Sequence, residues 1–194
     1  MTLLGMLLKN RKGSDIHSAW SRPNLQGPEL LIVTSDAFGQ GQSIPREHAG
    51  KRVGERNLSP DLSWSPLPPE TTELVLVVED LDVPTSKPAM HCLVLIDPSR
   101  LDSPHHLPPG SLSAKAPGAG VRILRSTISR GYHGPEPIKG YGPHRYAFQL
   151  FAFSRAASTT PDAARLARAR PRTLLNSLSA PVIARGRLTG DYER

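Results

Sequence analysis

The chain has 194 residues, 38% hydrophobic and 21% charged, a length that suits one domain with a sizeable core and a composition that excludes an intrinsically disordered protein. Its formal charge of +7 invites a nucleic-acid partner. Much of that excess, however, is arginine spread over the last forty residues without interleaved aromatics, so a solvated basic face and no nucleic acid is the better reading.

Residues 1–8 are apolar and are followed by Lys9, Arg11 and Lys12. A secretory signal places its basic residues before the apolar run, so this order favours a cytoplasmic protein, and the run is too short to span a membrane. Residues 1–29 read as a mobile N-terminal arm. Leu3, Leu4, Met6, Leu7 and Leu8 there suit a short helix docking on the body or on a second copy, which makes a homodimer an expectation. Leu30 to Thr34 is the first predicted strand, and residues 35–61, polar and rich in Gly and Pro, form a long ordered connection. Leu62-Ser63-Trp64 alternates before Pro66, Pro68 and Pro69 stop it. Leu74 to Val78 is a continuous apolar run bounded by acids, the pattern of a strand buried on both faces.

Cys92 to Ile96 is another such run, ended by Asp97-Pro98. The single cysteine, Cys92, excludes an intrachain disulfide, gives no support to a cysteine-based metal site, and reads as a buried, inert thiol. Residues 98–120 are loop-like, and Val121 to Leu124 gives a weaker strand signal. Gly131 to Pro143 consists of residues that forbid helix and demand turns, whereas Tyr146 to Phe153 is aromatic and apolar, a buried strand. His144, Arg145 and Tyr146 therefore sit where a stiff loop enters a sheet, a rigid base for polar side chains. Thr160 as cap with Pro161 in the first turn predicts a helix over Ala163 to Arg170, until Pro171 intervenes. Thr173 to Leu178 predicts a second helix, and Ala184 to Tyr192 a closing strand. Residues 30–194 thus form one mostly β domain with minor α, and no strand–helix alternation supports a Rossmann arrangement.

The chemistry-bearing residues gather at predicted strand ends. Val78-Glu79-Asp80-Leu81-Asp82-Val83-Pro84 leaves one strand, His91 heads the next, and His144 and Tyr146 open a third. Three chemistries fit this set. Imidazole and tyrosine hydroxyl donate to phosphate or carboxylate oxygens, with Gly134-Pro135 bringing backbone close to the anion. Asp80, His91 and His144 suit a divalent metal. A His/Asp pair suits general acid–base catalysis. No Gly-x-Ser-x-Gly elbow, His-Glu-x-x-His or P-loop strengthens a hydrolase reading.

These stretches resemble the phosphatidylethanolamine-binding protein (PEBP) family, in particular its bacterial Raf-kinase-inhibitor-like branch. The family's Asp-Pro-Asp-Ala-Pro segment, leading to a strand-initial His, looks like Asp80-Leu81-Asp82-Val83-Pro84 with His91. Its Gly-Pro-x-Pro loop followed by His-Arg-Tyr looks like Gly134-Pro135-Glu136-Pro137 with His144-Arg145-Tyr146, and Leu58 to Trp64 resembles its Ser-Pro-x-Leu-Ser-Trp segment. Leu81, Val83 and Cys92 depart from the usual Pro, Ala and Trp, changes that alter packing around the pocket more than its polar set. The resemblance covers residues 30–194 and implies a central antiparallel sheet packed on a smaller sheet, with C-terminal helical segments. It also implies a non-enzymatic protein with a small pocket for phosphate or a phospholipid head group such as phosphoethanolamine, lined by Asp80, Asp82, His91, Gly134, Pro135, His144 and Tyr146, with no metal and no cofactor. Arg145 would tie the loop together. A protein kinase or protease is the class of protein partner it implies, and an enzyme using the Asp/His pocket, with or without metal, is the alternative.

Overall fold

The computed structural model describes residues 15–54, 56–157 and 163–194. The apolar segment 1–8 and the Thr160 cap lie outside the described residues. Among the described residues, eight strands divide between two antiparallel sheets. The smaller has the order β1 (Val33–Thr34), β2 (Leu62–Trp64), β5 (His106–Leu107). The larger has the order β6 (Val121–Ile123), β4 (Ala89–Ile96), β3 (Glu73–Asp80), β7 (His144–Phe153), β8 (Val182–Tyr192). Two short helices, α1 (Ala163–Arg168) and α2 (Pro171–Ser177), come between β7 and β8 in the chain.

Both faces of the large sheet are covered, which explains the unbroken apolar run in β3. Leu74, Leu76 and Val78 enter a core shared with Val33, Leu62, Trp64 and Leu107 of the small sheet. Val75 and Val77 point the other way, into a core with Leu166, Leu174, Leu175 and Leu178 of the helical region. The alternation that marks a half-exposed antiparallel strand is therefore missing, because neither face meets water.

Four expectations change in the structure. The first strand shrinks to two residues, with the Leu30 and Ile32 side chains exposed. Its approach is held by single bonds to β8, Leu31 N–H to Arg185 O (3.1 Å) and Arg185 N–H to Pro28 O (2.8 Å). β5 emerges inside the loop-like stretch 98–120, and a two-residue strand is too short to leave a periodic signal. Pro171 opens α2 rather than merely ending α1, since a first-turn proline loses no intrahelical bond. Residues 15–29 are fastened rather than mobile: Ala19 and Leu25 have no exposed surface, and the Ala19 and Trp20 amides donate to Glu79 Oε2 and Gln149 Oε1 at 2.7 Å each. No helix among the described residues is long and apolar enough to cross a membrane.

Candidate functional site

The site grows from the ends of three neighbouring strands. Asp80, the last residue of β3, lies directly opposite Tyr146 of β7. Since side chains alternate, Asp80 shares the face of Val78, and His144, two residues before Tyr146, shares it too. His144 Nδ1 donates to the Asp80 carboxylate at 2.8 and 3.1 Å. Both side chains are nearly fully buried (2% and 4% exposed), so the bond forms where the dielectric is low and charge pairing is strong. With Nδ1 committed to Asp80, the other ring nitrogen, Nε2, is buried without a partner.

His91 reaches the same face through an irregularity in β4. Val78 pairs with Cys92 but Glu79 pairs with Met90, which leaves His91 as an extra residue in the ladder. Such a bulge re-aims a side chain. Cys92 and Met90 fall into opposite cores, and His91 turns to the Tyr146 side, its ring edge-on to the tyrosine at 5.2 Å. His91 Nδ1 bonds the His133 carbonyl at 2.6 Å. A carbonyl only accepts, so Nδ1 carries the proton, and burial pulls the ring's pKa below its ordinary value and keeps it neutral near pH 7. Nε2 of His91 is thereby a lone-pair acceptor. The Tyr146 hydroxyl makes no hydrogen bond of regular geometry, although the Asp80 carboxylate and the Glu136 amide act on it. Burial, then the Asp80 charge, push its pKa far above neutrality, so it remains an O–H donor.

These four residues line one cavity of about 370 Å³. Val83, Pro84, Ile128, Pro137 and Ile138 supply an apolar rim, and Arg52, His133 and Glu136 complete the wall. The last three are residues that sequence reasoning missed. Glu136 stands inside the quoted Gly-Pro-Glu-Pro loop and was the one with a signal. Its carboxylate accepts from Arg52 N–H at 3.0 Å and lies 3.5 Å from His133 Nε2. A β-carbon on Gly50 would come within 2.2 Å of it, so this approach requires glycine. Arg52 sits in a polar connection with no motif to mark it.

Three expected wall residues stand behind the cavity instead. Asp82 is turned away to Arg145: its carboxylate accepts from Arg145 Nε (2.8 Å), NH2 (2.9 Å) and backbone N–H (2.9 Å). Burial alone would raise the Asp82 carboxyl, but the Arg145 hydrogen bonds and charge outweigh it and hold the pKa below the ordinary value. Arg145 thus ties the end of β7 to the segment after β3, as the tie the resemblance implied. Gly134 is pressed against the backbone of residues 48–50, where an added β-carbon would lie 2.1 Å from His48 O. Pro135 gives its carbonyl to Gly50 N–H at 3.0 Å. Their role is loop-to-loop packing, which shapes the wall without forming it.

The divalent-metal set does not assemble: among the described residues, no three His, Cys, Asp or Glu side chains gather with metal-site geometry. Cys92 is fully buried outside the cavity, its thiol pushed up to about 12 by burial, and is inert.

The sequence model of the phosphatidylethanolamine-binding protein matches residues 34–193. A UPF0098 protein of Chlamydia trachomatis is 31% identical over 170 residues, covering 84% of this chain and 99% of that protein. A UPF0098 protein of Mycobacterium tuberculosis is 31% identical over 134 residues, covering 68% of this chain and 58% of that protein. The crystal structure of Escherichia coli YbcL, described as a member of the mammalian PEBP family, superposes with a TM-score of 0.69 at 26% identity, over 84% of this chain and 98% of its own. With the sequence matched from β1 to β8 and the fold shared, the chain belongs to the phosphatidylethanolamine-binding protein family.

Proposed function

We propose that the protein is a non-enzymatic binding protein whose histidine cavity takes a small anion, phosphate or a phospholipid head group such as phosphoethanolamine. One observation carries this reading. His144 is fixed by Asp80 through Nδ1 and presents a buried, unpartnered Nε2 in a cavity wall. A buried polar atom without a partner costs on the order of 1–3 kcal/mol, and a ligand oxygen cancels that cost. Asp80 orients the ring so that Nε2 meets an oxygen of the anion, and the Tyr146 hydroxyl adds a donor. His91, neutral with a lone pair on Nε2, accepts from a protonated phosphate oxygen or an ammonium group. The apolar rim suits the methylenes of a head group, and Arg52 at the wall suits the remaining negative charge.

Among the described residues the cavity wall has no Ser, Thr, Cys or Lys, so no hydroxyl-alkyl, thiol or amine nucleophile is at hand, which favours binding over covalent catalysis. Protein kinases and proteases, the partners the family resemblance suggests, would engage the rim. Isothermal titration of phosphate and phosphoethanolamine is the test. The wild type binds in the micromolar-to-millimolar range expected of a few charged contacts, and His144→Ala loses roughly tenfold or more. Unchanged affinity in that variant sinks the assignment.

A further inference from the structure

Beside the histidine cavity lies a second depression of about 520 Å³, and the two share Arg52, His133 and Glu136 in their walls. Lys51, Arg52, Arg56, Lys115 and Arg130 surround it, against one acid, Glu136, among the described lining residues. Glu136 is already occupied by the Arg52 amide and by His133. Of the five cations, Arg56 has an exposed partner in Glu47 at 3.6 Å, and Arg130 is engaged as well. The depression is a built feature. Asn57, held in the left-handed region at φ 52, clamps its two sides by donating to Tyr132 O (3.0 Å) and accepting from Gly134 N–H (2.8 Å). Ser59 Oγ fixes the far side by accepting from Gly110 and Leu112 N–H.

Cations converging on a concavity raise the local concentration of anions. Glu136 stands on the shared wall and opposes negative charge there. We infer that the basic cleft takes a second anionic group of the ligand held in the histidine cavity, so that the preferred ligand class carries two anionic groups joined by an uncharged spacer. The inference rests on the anion reading of the histidine cavity and adds to it the selection of doubly anionic over singly anionic ligands. Lys51 and Lys115 carry the added selectivity, as neither lines the histidine cavity.

Isothermal titration at low ionic strength compares alkane-diol monophosphates with the matching bisphosphates over a series of spacer lengths. Two or three exposed charge contacts amount to on the order of tenfold, so the best-fitting bisphosphate binds roughly tenfold tighter than its monophosphate, well beyond the statistical factor of about two for two equivalent ends. Added salt shrinks the gain through screening. The Lys51→Gln, Lys115→Gln double variant loses the gain and keeps the monophosphate affinity. Equal affinities at every spacer length, or a gain that survives the double variant, overturn the inference and leave the first site standing. A loss of roughly tenfold or more for both ligands in His144→Ala, together with the bisphosphate gain in the wild type, supports both readings. Failure of the wild type to bind either ligand overturns both.

Discussion

Glu79 and Asp80 are neighbours on β3 and both are buried, yet they face opposite sides of the sheet and do different work. Asp80 meets a basic ring, and that pair opens onto a cavity. Glu79 instead meets amide donors. Its Oε2 accepts from the Ala19 amide and from Gln149 Nε2, while Gln149 Oε1 accepts from the Trp20 amide. This cluster fastens the segment before β1 across the far face of the sheet. The strand alternation that separates two acids by one residue therefore separates a binding role from a structural one. A buried carboxylate becomes a candidate site only where its partner retains an unused polar atom beside a space.

Breaking the structural side gives the largest effect. Glu79→Ala leaves two buried donors without an acceptor and opens a void beneath Ala19, at a cost of about 3 kcal/mol. For a domain of this size that lowers Tm by roughly 9 °C, read by calorimetry. Glu79→Gln retains an acceptor oxygen and costs about 1 kcal/mol or less. Equal losses in the two variants would mean that Oε2 is not the fastening point. Ligand affinity stays unchanged in Glu79→Gln, since the cavity lies on the other face.

Arg145→Ala comes next, at about 2 kcal/mol in denaturant unfolding, because Asp82 loses its charged partner while still accepting from the backbone amide of residue 145. The reciprocal Asp82→Ala costs less, about 1 kcal/mol, since the Arg145 side chain is 41% exposed and water takes up its charge. Asp80→Asn shifts the effect to the binding side. The amide oxygen still accepts from His144 Nδ1, but without the carboxylate's charge the bond that orients the ring is weaker. Anion affinity falls roughly tenfold, about 1.4 kcal/mol, while stability changes by under about 1 kcal/mol. A stability loss without an affinity loss would move Asp80 to the structural side with Glu79.

Much of this was legible in the sequence, and the gaps have physical causes. The runs Leu74–Val78, Cys92–Ile96 and Tyr146–Phe153 declare buried strands because both faces of the large sheet are covered. Asp80, His91, His144 and Tyr146 declare themselves by standing at the ends of those strands. Asp82 and Gly134 mislead because a motif gives residue types and spacing but not the direction of a side chain after a strand has ended. The pairing of Asp82 with Arg145 and the pressing of Gly134 onto residues 48–50 are long-range facts. Arg52 is missed for the same reason: it arrives from more than eighty residues upstream, where Glu136 catches its amide. The bulge that turns His91 is likewise invisible in a single strand, since it exists only in the pairing of β3 with β4.

The smallest expected effect is also the one that separates these acids without mutating the site. Burial raises the Glu79 pKa above its ordinary 4.5, against the opposing pull of the Ala19 and Gln149 hydrogen bonds and of the Arg172 and Arg22 charges. A raised carboxyl binds its proton more tightly in the folded state, so its contribution is complete below the unfolded pKa and is lost as pH climbs from about 4.5 through the folded value. Asp82 runs the other way. Its pKa lies below the ordinary 3.8, so its contribution is present above that value and is lost as acid protonates the folded carboxylate. Urea unfolding across pH should therefore show the wild type losing stability upward from about pH 4.5, a trend that flattens in Glu79→Gln because the amide does not titrate. The acid-side loss should persist in Glu79→Gln and weaken in Asp82→Asn. An upward trend untouched by Glu79→Gln would place the titrating group elsewhere and remove the contrast between the two faces of β3.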